Sequence, residues 1–228
     1  MPAAMKAGTG TRTPRRLLPG TPWTAATPWS LQATPLIVLT LSLTLCGVGE
    51  GMLVQAALGS TPWTVLAQGL AAQSGWHLGW ITFLVSLMVM MLWIPLRMRP
   101  GLGTVMNLIL VALVLGVFVQ GVPVPENWAG RIMLCAGGVA LVGSASALYL
   151  SCHMGAGPRD GLMVGLCKQT GWRVGAVRSS LEITVCVAGW LLGGNLGLGT
   201  LLFACCVGWV VEATLAFLAR HFAVWQPA

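Results

Sequence analysis

The sequence predicts an all-α membrane protein with about six transmembrane helices in two inverted three-span repeats, each with a short re-entrant or interfacial helix after its first span. Three observations predict this class. Hydrophobic residues make up 56% of the 228 positions and charged residues 7%, against roughly 25% charged in a soluble domain. Apolar runs of about 20 residues, the length that crosses a bilayer, recur along the chain. Residues 58–107 also align without a gap with residues 154–203.

The aligned segments lie 96 residues apart, and about 15 of their 50 positions are identical. The identical residues are mostly glycine, proline and tryptophan, which replace one another poorly, so chance is a weak explanation. They include the pairs Gly59/Gly155, Pro62/Pro158, Gly69/Gly165, Gly75/Gly171, Trp76/Trp172 and Gly79/Gly175, and the GLGT blocks at 101–104 and 197–200. Internal repeats of this kind are common in membrane transporters.

The first 34 residues differ in composition from the rest of the chain. They are rich in threonine and proline and carry four basic residues, Lys6, Arg12, Arg15 and Arg16. The prolines exclude a long helix. No compact apolar stretch with a small-residue cleavage site follows the arginines, as a signal peptide would require. We therefore predict that residues 1–34 form a disordered, basic, Thr/Pro-rich cytoplasmic tail.

The remaining chain divides into membrane repeat 1 over residues 35–121 and membrane repeat 2 over residues 131–219. Breaking signals separate the apolar runs, such as Pro95 within the run that ends near Arg97, and the turn sequence VPVPEN after Gly121. The runs predict six transmembrane helices, at 36–57, 78–96, 102–121, 132–152, 174–193 and 198–219.

Two further apolar segments, 62–73 and 158–169, are too short to cross the bilayer comfortably. Each begins with proline, a favoured first residue of a helix. If both segments crossed, Arg97, Arg99 and Arg159 would move outside, against the positive-inside rule. If neither crosses, each repeat has three crossings, and the two copies lie in opposite orientations. Whether the segments are re-entrant or lie at the interface stays open.

Ionisable residues inside apolar segments are the most informative set. A charge at the bilayer centre costs at least about 2.5–3.5 kcal/mol, so it persists where it pairs, faces a cavity or has a function. Four of the five acids fall in such segments, Glu50, Asp160, Glu182 and Glu212. The four-residue spacing of Arg178 and Glu182 places both on one helix face, where they can pair.

The duplication does not extend to these charges. Arg178 and Glu182 correspond to Thr82 and Ser86 of the first repeat, while Arg159-Asp160 corresponds to Trp63-Thr64. We name five candidate substrate- or ion-binding residues, Glu50, Arg159, Asp160, Arg178 and Glu182. Structural alternatives stay open, namely a packing ion pair, a carboxylate that stabilises a helix start, and an arginine that reaches the headgroups.

Several other function classes find no support in the sequence. The seven cysteines lie in apolar runs without the spacing of a metal site. In GAGPRDG, Asp160 stands where a nucleotide-binding loop has its third glycine. The basic residues lie at span ends and form no patch on a soluble face. We therefore expect no enzymatic activity, no cofactor, no bound metal and no nucleic-acid partner.

The string GAGPRDGLMVGL, followed by a Thr-Gly pair, by Arg178 and Glu182, and by LLGGNLGLGT, resembles the YczE-type bacterial membrane proteins, which look related to the YitT group. The resemblance covers about residues 36–219 and excludes the tail. It implies an integral protein of the bacterial cytoplasmic membrane and no particular activity. The matched family residues are Gly157, Pro158, Arg159, Asp160, Arg178, Glu182, Gly193 and Gly194. Small-residue spacing and the GLGT block add Gly161, Gly165, Gly199 and Thr200 as structural motif residues.

These observations favour a small permease or transporter-like protein with a charged site near the membrane midplane. The alternative is a non-transport scaffold or a regulatory partner protein. We expect a multi-pass protein of the cell membrane with a cytoplasmic N-terminus. Its expected partners are the lipid bilayer, a small-molecule or ion substrate, and either a second copy or another protein.

Overall fold

Helices form all the regular structure in the described part of the chain. The computed structural model describes residues 20–222, apart from the side chains at positions 174 and 175. The eight helices are α1 (Ala33–Ala56), α2 (Pro62–Ser74), α3 (Leu78–Met91), α4 (Leu102–Gly121), α5 (Trp128–Ser151), α6 (Pro158–Thr170), α7 (Val174–Leu191) and α8 (Leu198–Phe222). The predicted all-helical class is confirmed.

Four of these helices, α1, α4, α5 and α8, are long and apolar enough to cross a membrane. α2 and α3 add a fifth candidate only if they are counted together, and they meet at an angle of 119°. The predicted span 78–96 is shorter than expected, because its helix ends at Met91 and turns continue to Arg97. Pro95 explains the break, since proline and the residue before it disfavour helix. Six spans therefore remain a prediction.

The two short helices have matching boundaries. Each starts with proline at its first position, Pro62 in α2 and Pro158 in α6. Each is followed by a glycine in the left-handed conformation, Gly75 with φ 72° and Gly171 with φ 69°. Proline at the start and glycine past the end are the favoured residues for these places. The predicted segments 62–73 and 158–169 are therefore helical.

The duplicated sequence folds into the same local backbone twice. α2 and α6, α3 and α7, and α4 and α8 each begin 96 residues apart. Positive φ angles recur at the same offset, at Ala57/His153, Gly59/Gly155, Gly75/Gly171 and Arg97/Gly193. Non-glycine residues rarely adopt such angles. Their recurrence shows that turns as well as helices are repeated.

Contacts between the two halves are also exchanged in matching pairs. The Gly199 N–H donates to the carbonyl oxygen of Leu58 at 2.6 Å, and the Gly103 N–H donates to that of Met154 at 2.8 Å. Gly103 and Gly199 are equivalent positions, as are Leu58 and Met154. The loop after the first helix of each half is thus bonded to the start of the last helix of the other half.

α1 and α5 pack against each other at the centre, with α4 against α1 and α8 against α5. Glycines allow the close approach. A Cβ atom on Gly47 of α1 would lie 2.7 Å from the Cβ of Val114 in α4. A Cβ on Gly143 of α5 would lie 2.7 Å from that of Val210 in α8. These two contacts are again 96 residues apart. α2 packs against α7, and α3 against α6.

The α3–α4 contact has no counterpart of similar extent, because the described residues of α7 and α8 hardly touch. Gly79 of α3 meets Gly116 of α4, where an added Cβ would lie 2.9 Å from the Gly116 Cα. The residue equivalent to Gly116 is Glu212, which is exposed on α8. A Cβ added at Gly208 would meet nothing within 4 Å. We call this opening the α7–α8 gap.

The predicted disordered tail requires a correction. Its residues 1–19 lie outside the described part of the chain, but residues 20–32 are held against the helices. The Trp23 indole N–H donates to Ser151 Oγ at 2.8 Å, and the Ala25 N–H donates to the Cys152 carbonyl oxygen at 3.0 Å. The prolines exclude a helix here, as expected, but they are compatible with ordered turns that find partners at the end of α5.

Candidate functional site

A cavity of about 190 Å³ lies among the helices, and all eight of them contribute residues to its wall. The five candidate residues named from the sequence, Glu50, Arg159, Asp160, Arg178 and Glu182, all line it. They come from three helices, α1 in the first half of the chain and α6 and α7 in the second half. The structure therefore brings the whole predicted set together around one space.

Glu50 and Arg159 form an ion pair across the two halves, with Arg159 Nη1 and Glu50 Oε1 3.0 Å apart. The second carboxylate oxygen of Glu50 accepts a hydrogen bond from Thr64 Oγ1 at 2.9 Å. The Arg159 guanidinium lies 5.8 Å from the centre of the Trp63 ring, within the range of a cation–π contact. Glu50 is only 6% exposed, so its charge depends on these partners.

The glycines beside Glu50 explain how a carboxylate reaches this depth. A Cβ on Gly49 would lie 2.8 Å from Val142 of α5, and a Cβ on Gly51 would lie 2.6 Å from Phe118 of α4. α1 therefore contacts both neighbours at the level of Glu50. This close packing excludes other groups from the carboxylate and leaves it facing the cavity and α6.

Asp160 has a neutral partner. Its Oδ2 accepts a hydrogen bond from the Tyr149 hydroxyl at 2.6 Å. Among residues 20–222, no lysine, arginine or histidine lies within ion-pair distance of Asp160. The carboxylate belongs to the first turn of α6, where the helix dipole favours negative charge. It is therefore held by a hydroxyl and a helix start, without a cation.

Sequence reasoning did not identify Tyr149 as a site residue. A signal was present, because it is the one tyrosine of the whole chain and falls inside an apolar run. A buried tyrosine hydroxyl usually needs a hydrogen-bond partner. The distance in sequence to Asp160 is only 11 residues, but a turn and a helix start lie between them.

Arg178 and Glu182 are in direct contact, as their spacing indicated, with Arg178 Nε 2.9 Å from Glu182 Oε1. Their side chains are 49% and 29% exposed. Their equivalents in the first half, Thr82 and Ser86, also line the cavity but are 1% and 7% exposed. The second half is thus more open here than the first, because α8 does not cover α7.

Equivalent positions of the two halves contribute to the same cavity wall. Eight pairs separated by 96 residues both contribute to the wall, namely 46/142, 50/146, 61/157, 63/159, 82/178, 86/182, 107/203 and 111/207. Within the described residues, Thr82 Oγ1 is buried without a hydrogen-bond partner. Sequence reasoning missed Thr82, Ser86 and Asn107 as wall residues, although the repeat alignment connects the first two to charged positions.

The structural motif residues shape the helices around the site, and Gly157 is itself part of the cavity wall. Gly161 leaves room for the Trp93 ring, whose indole N–H donates to the Pro158 carbonyl oxygen at 3.0 Å. Gly165 packs against Leu96 and Met98. The remaining motif residues cap α6 or shape the α7–α8 connection and its contacts, Gly157, Gly193, Gly194, Gly199 and Thr200.

Glu212 and six of the seven cysteines lie away from the cavity wall. Glu212 is exposed on α8 beside the α7–α8 gap. Of the seven cysteines, only Cys46 is part of the wall. Within residues 20–222, no cluster of three histidine, cysteine, aspartate or glutamate side chains is placed to hold a metal ion.

Comparison with known proteins gives a family and relatives. A model of a family described as a family of unknown function (DUF6198) matches residues 33–215. A Haemophilus influenzae protein with the name "Uncharacterized protein" is 48% identical over 205 residues, which are 90% of this chain and 94% of that protein. The Bacillus subtilis "Uncharacterized membrane protein YczE" is 31% identical over 188 residues, 82% of this chain and 85% of the relative. No solved structure matches the chain significantly.

Proposed function

The chain belongs to the DUF6198 family, and we propose that this membrane protein is a small permease whose substrate site is the cavity between its two halves. The family match runs from the start of α1 into α8, so it covers the whole cavity. The relative named YczE is a membrane protein by its printed name, which agrees with the resemblance seen in the sequence.

The observation that carries the proposal is the meeting of five ionisable side chains from both halves around one cavity. Charges inside a membrane domain are costly, and they mark substrate or ion pathways when they face a cavity. Substrate sites of repeat-built transporters lie where the two repeats meet, near the midplane. The eight equivalent pairs on the wall fit that position.

The exchanged contacts support halves that are inserted in opposite orientations. In a two-fold arrangement, if position i contacts position j of the other copy, then j contacts i in return. The hydrogen bonds of Leu58 with Gly199 and of Met154 with Gly103 follow this rule. Three crossings in each half, α1, α3 and α4 and then α5, α7 and α8, give opposite orientations. We propose six spans with a cytoplasmic N-terminus in the cell membrane.

The burial of α2 and α6 supports the re-entrant arrangement. Pro62, Thr64 and Val65 at the start of α2 are buried, whereas the last residues of the helix are exposed. In α6, Pro158 and Leu162 are buried and the end is again exposed. A helix lying flat at the interface would bury one face along its whole length. Helices that dip inward with their first turns bury one end instead, as these do.

A test of the permease needs no knowledge of the substrate. Ser146 lies on the cavity wall, so we would introduce Ser146→Cys into a variant without native cysteines. A charged, membrane-impermeant thiol reagent is then added to right-side-out and to inside-out vesicles. Alternating access predicts labelling from both sides. As a control, Glu126→Cys in the exposed α4–α5 loop should react from the outside only.

The scaffold alternative gives a different result. A protein that only holds partners together has no reason to open its cavity to both sides of the membrane. Labelling of the Ser146→Cys variant from one side only, or from neither, would therefore count against the permease.

A further inference from the structure

We propose that the cavity takes a small organic cation with an apolar body, which reaches it from the bilayer through the α7–α8 gap. This rests on the proposed function and adds the class of substrate and its route. Three features carry it, namely the unrepeated opening beside α7, the charge balance of the wall, and the aromatic and apolar groups around the cavity.

The opening follows from the α3–α4 contact, which has no counterpart of similar extent among the described residues of α7 and α8. In the first half, Gly79 and Gly116 bring α3 onto α4 and bury Thr82 and Ser86. In the second half, α8 presents the exposed Glu212 in place of Gly116. A helix side chain of that size prevents the same close approach. The cavity is therefore closed along α3 and α4 and open along α7 and α8.

The gap adjoins the cavity wall. Phe203, Val207 and Val211 are spaced by four residues and form the α8 part of the cavity wall. Gly208 and Glu212 each follow a wall residue, so they form the neighbouring stripe of the same helix. An added Cβ at Gly208 meets nothing within 4 Å, so the side of α8 next to the wall stripe is uncovered. The outer surface itself is apolar, with Trp209 75% exposed.

The charge balance of the wall favours a cation. Arg159 and Arg178 are each paired with a glutamate, which leaves Asp160 as the wall carboxylate whose described partner is a neutral hydroxyl. Glu212 adds a second acid at the gap, and the described residues give it no ion-pair partner. An approaching cation thus meets one unpaired acid at the opening and another inside.

The uncharged groups of the wall fit the rest of such a ligand. Trp63, Tyr149 and Phe203 supply aromatic rings, which attract organic ammonium groups through their faces. Leu181 and Val207 supply apolar surface. The buried Thr82 hydroxyl, which lacks a partner among the described residues, is available to the ligand as a hydrogen-bonding group. A site with these parts suits a molecule with one charge and one apolar body.

Binding of benzyltrimethylammonium to the full chain in lipid nanodiscs tests the ligand class. We expect saturable binding, weaker binding of tetramethylammonium because it lacks the ring, and no binding of phenylmethanesulfonate, which has the opposite charge. Asp160→Asn should weaken binding of the ring-bearing cation by about tenfold or more. Glu126→Gln, the same change at an acid off the cavity, should leave it unchanged.

The route is tested by the rate of association. Gly208→Leu places a side chain in open space within the gap, so it should slow association by about tenfold while the affinity stays the same. Gly121→Leu is the matched control, because an added Cβ there also meets nothing but lies at the far end of α4. An unchanged rate in the Gly208→Leu variant would overturn the route.

The inference and the permease fail in different ways. If the Ser146→Cys variant is labelled from both sides but benzyltrimethylammonium does not bind, the permease stands and the cation is the wrong ligand class. Equal binding of the cation and the sulfonate would overturn the ligand class as well. Labelling from one side only counts against alternating access between the two aqueous sides, and the two binding experiments then decide the ligand class and its bilayer route.

Discussion

Glu50 forms the ion pair that connects the two halves of the chain. Both of its carboxylate oxygens are engaged, one by Arg159 from the other half and one by Thr64 from its own. Such a pair is tolerated at a buried position because each charge neutralises the other. Loss of one member leaves the other as an isolated charge, which is more costly than the loss of both.

Glu50→Gln should therefore lower the stability of the folded protein strongly, by about 3–5 kcal/mol, because it leaves the Arg159 guanidinium without a counter-charge. The double variant Glu50→Gln/Arg159→Gln should recover much of that loss. Thermal unfolding of purified protein in one detergent measures both. A double variant less stable than the single variant would contradict this role of the pair.

The Arg178–Glu182 pair should behave differently, because it is partly exposed. Arg178→Gln is expected to change stability by no more than about 0.5 kcal/mol, as for other exposed pairs one helical turn apart. If the pair serves the site, the exchanged variant Arg178→Glu/Glu182→Arg should fold normally yet lose binding of benzyltrimethylammonium. Retained binding in a well-folded exchanged variant would assign the pair to packing alone.

Which side chains meet was predictable only at short range. The pairing of Arg178 with Glu182 follows from a spacing of four, since helix geometry fixes such neighbours. The pairing of Glu50 with Arg159 joins residues 109 apart, and no periodicity of a single sequence encodes it. The cost of intramembrane charge selected the charged wall residues together with Glu212, which lies off the wall, and it assigned no partners to them.

At the scale of the helices, glycines serve two opposite purposes. Gly189 of α7 lies so close to α2 that an added Cβ would collide with the backbone of Leu66. Gly208 of α8 has open space beside it. Both lie inside a helix, where alanine is ordinarily the better residue. Only the surroundings distinguish them.

We therefore expect opposite signs from the same substitution at these two places. Gly208→Ala should stabilise the protein by about 0.5–1 kcal/mol, since it adds helix propensity without a clash. Gly189→Ala should destabilise it by about 1–3 kcal/mol, since α2 and α7 must move apart. The midpoint of thermal unfolding of each variant, measured against that of the parent protein under the same conditions, tests both expectations. Equal shifts would mean that α2 and α7 are not in close contact.

Helix starts were predicted better than helix lengths. Proline at the first position and glycine after the last position located α2 and α6, because local chemistry determines these ends. The end of α3 at Met91 was missed, since the apolar run continues beyond it and hides the effect of Pro95. The α7–α8 gap was also missed. The gap depends on whether α7 and α8 pack against each other. A membrane helix has an apolar sequence whether its neighbour is another helix or lipid, so the sequence does not show the gap.

At the scale of the whole molecule, the opposed orientation of the halves can be tested at one matched pair of residues. Gln73 and Gln169 are equivalent, and both are exposed at the outer ends of the short helices. A cysteine in place of Gln73 should react with an impermeant thiol reagent from outside the cell only. A cysteine in place of Gln169 should react from the cytoplasmic side only. Reaction of both from the same side would show parallel halves.

The membrane character and the family were accessible from the sequence at this scale, because composition and motif strings carry them. The number of membrane crossings was not accessible from the sequence. α3 and α7 are short helices, and their apolar runs do not show whether each of them crosses the membrane. The segment 20–32 was misassigned as disordered. Its contacts with Ser151 and Cys152 arise only when the end of α5 is brought beside it.

The exchanged hydrogen bonds between Leu58 and Gly199 and between Met154 and Gly103 bear on the history of the chain. If the halves have the opposed orientation that we propose, an ancestral polypeptide of half this length would have assembled as an antiparallel pair. In such a pair of identical subunits, every charge would occur twice around the axis. The Glu50–Arg159 ion pair would then have a second copy, whereas the present chain has Ser146 and Trp63 at the equivalent positions and forms the pair once. A single chain with two repeats is free of this constraint, because each repeat can change without the other.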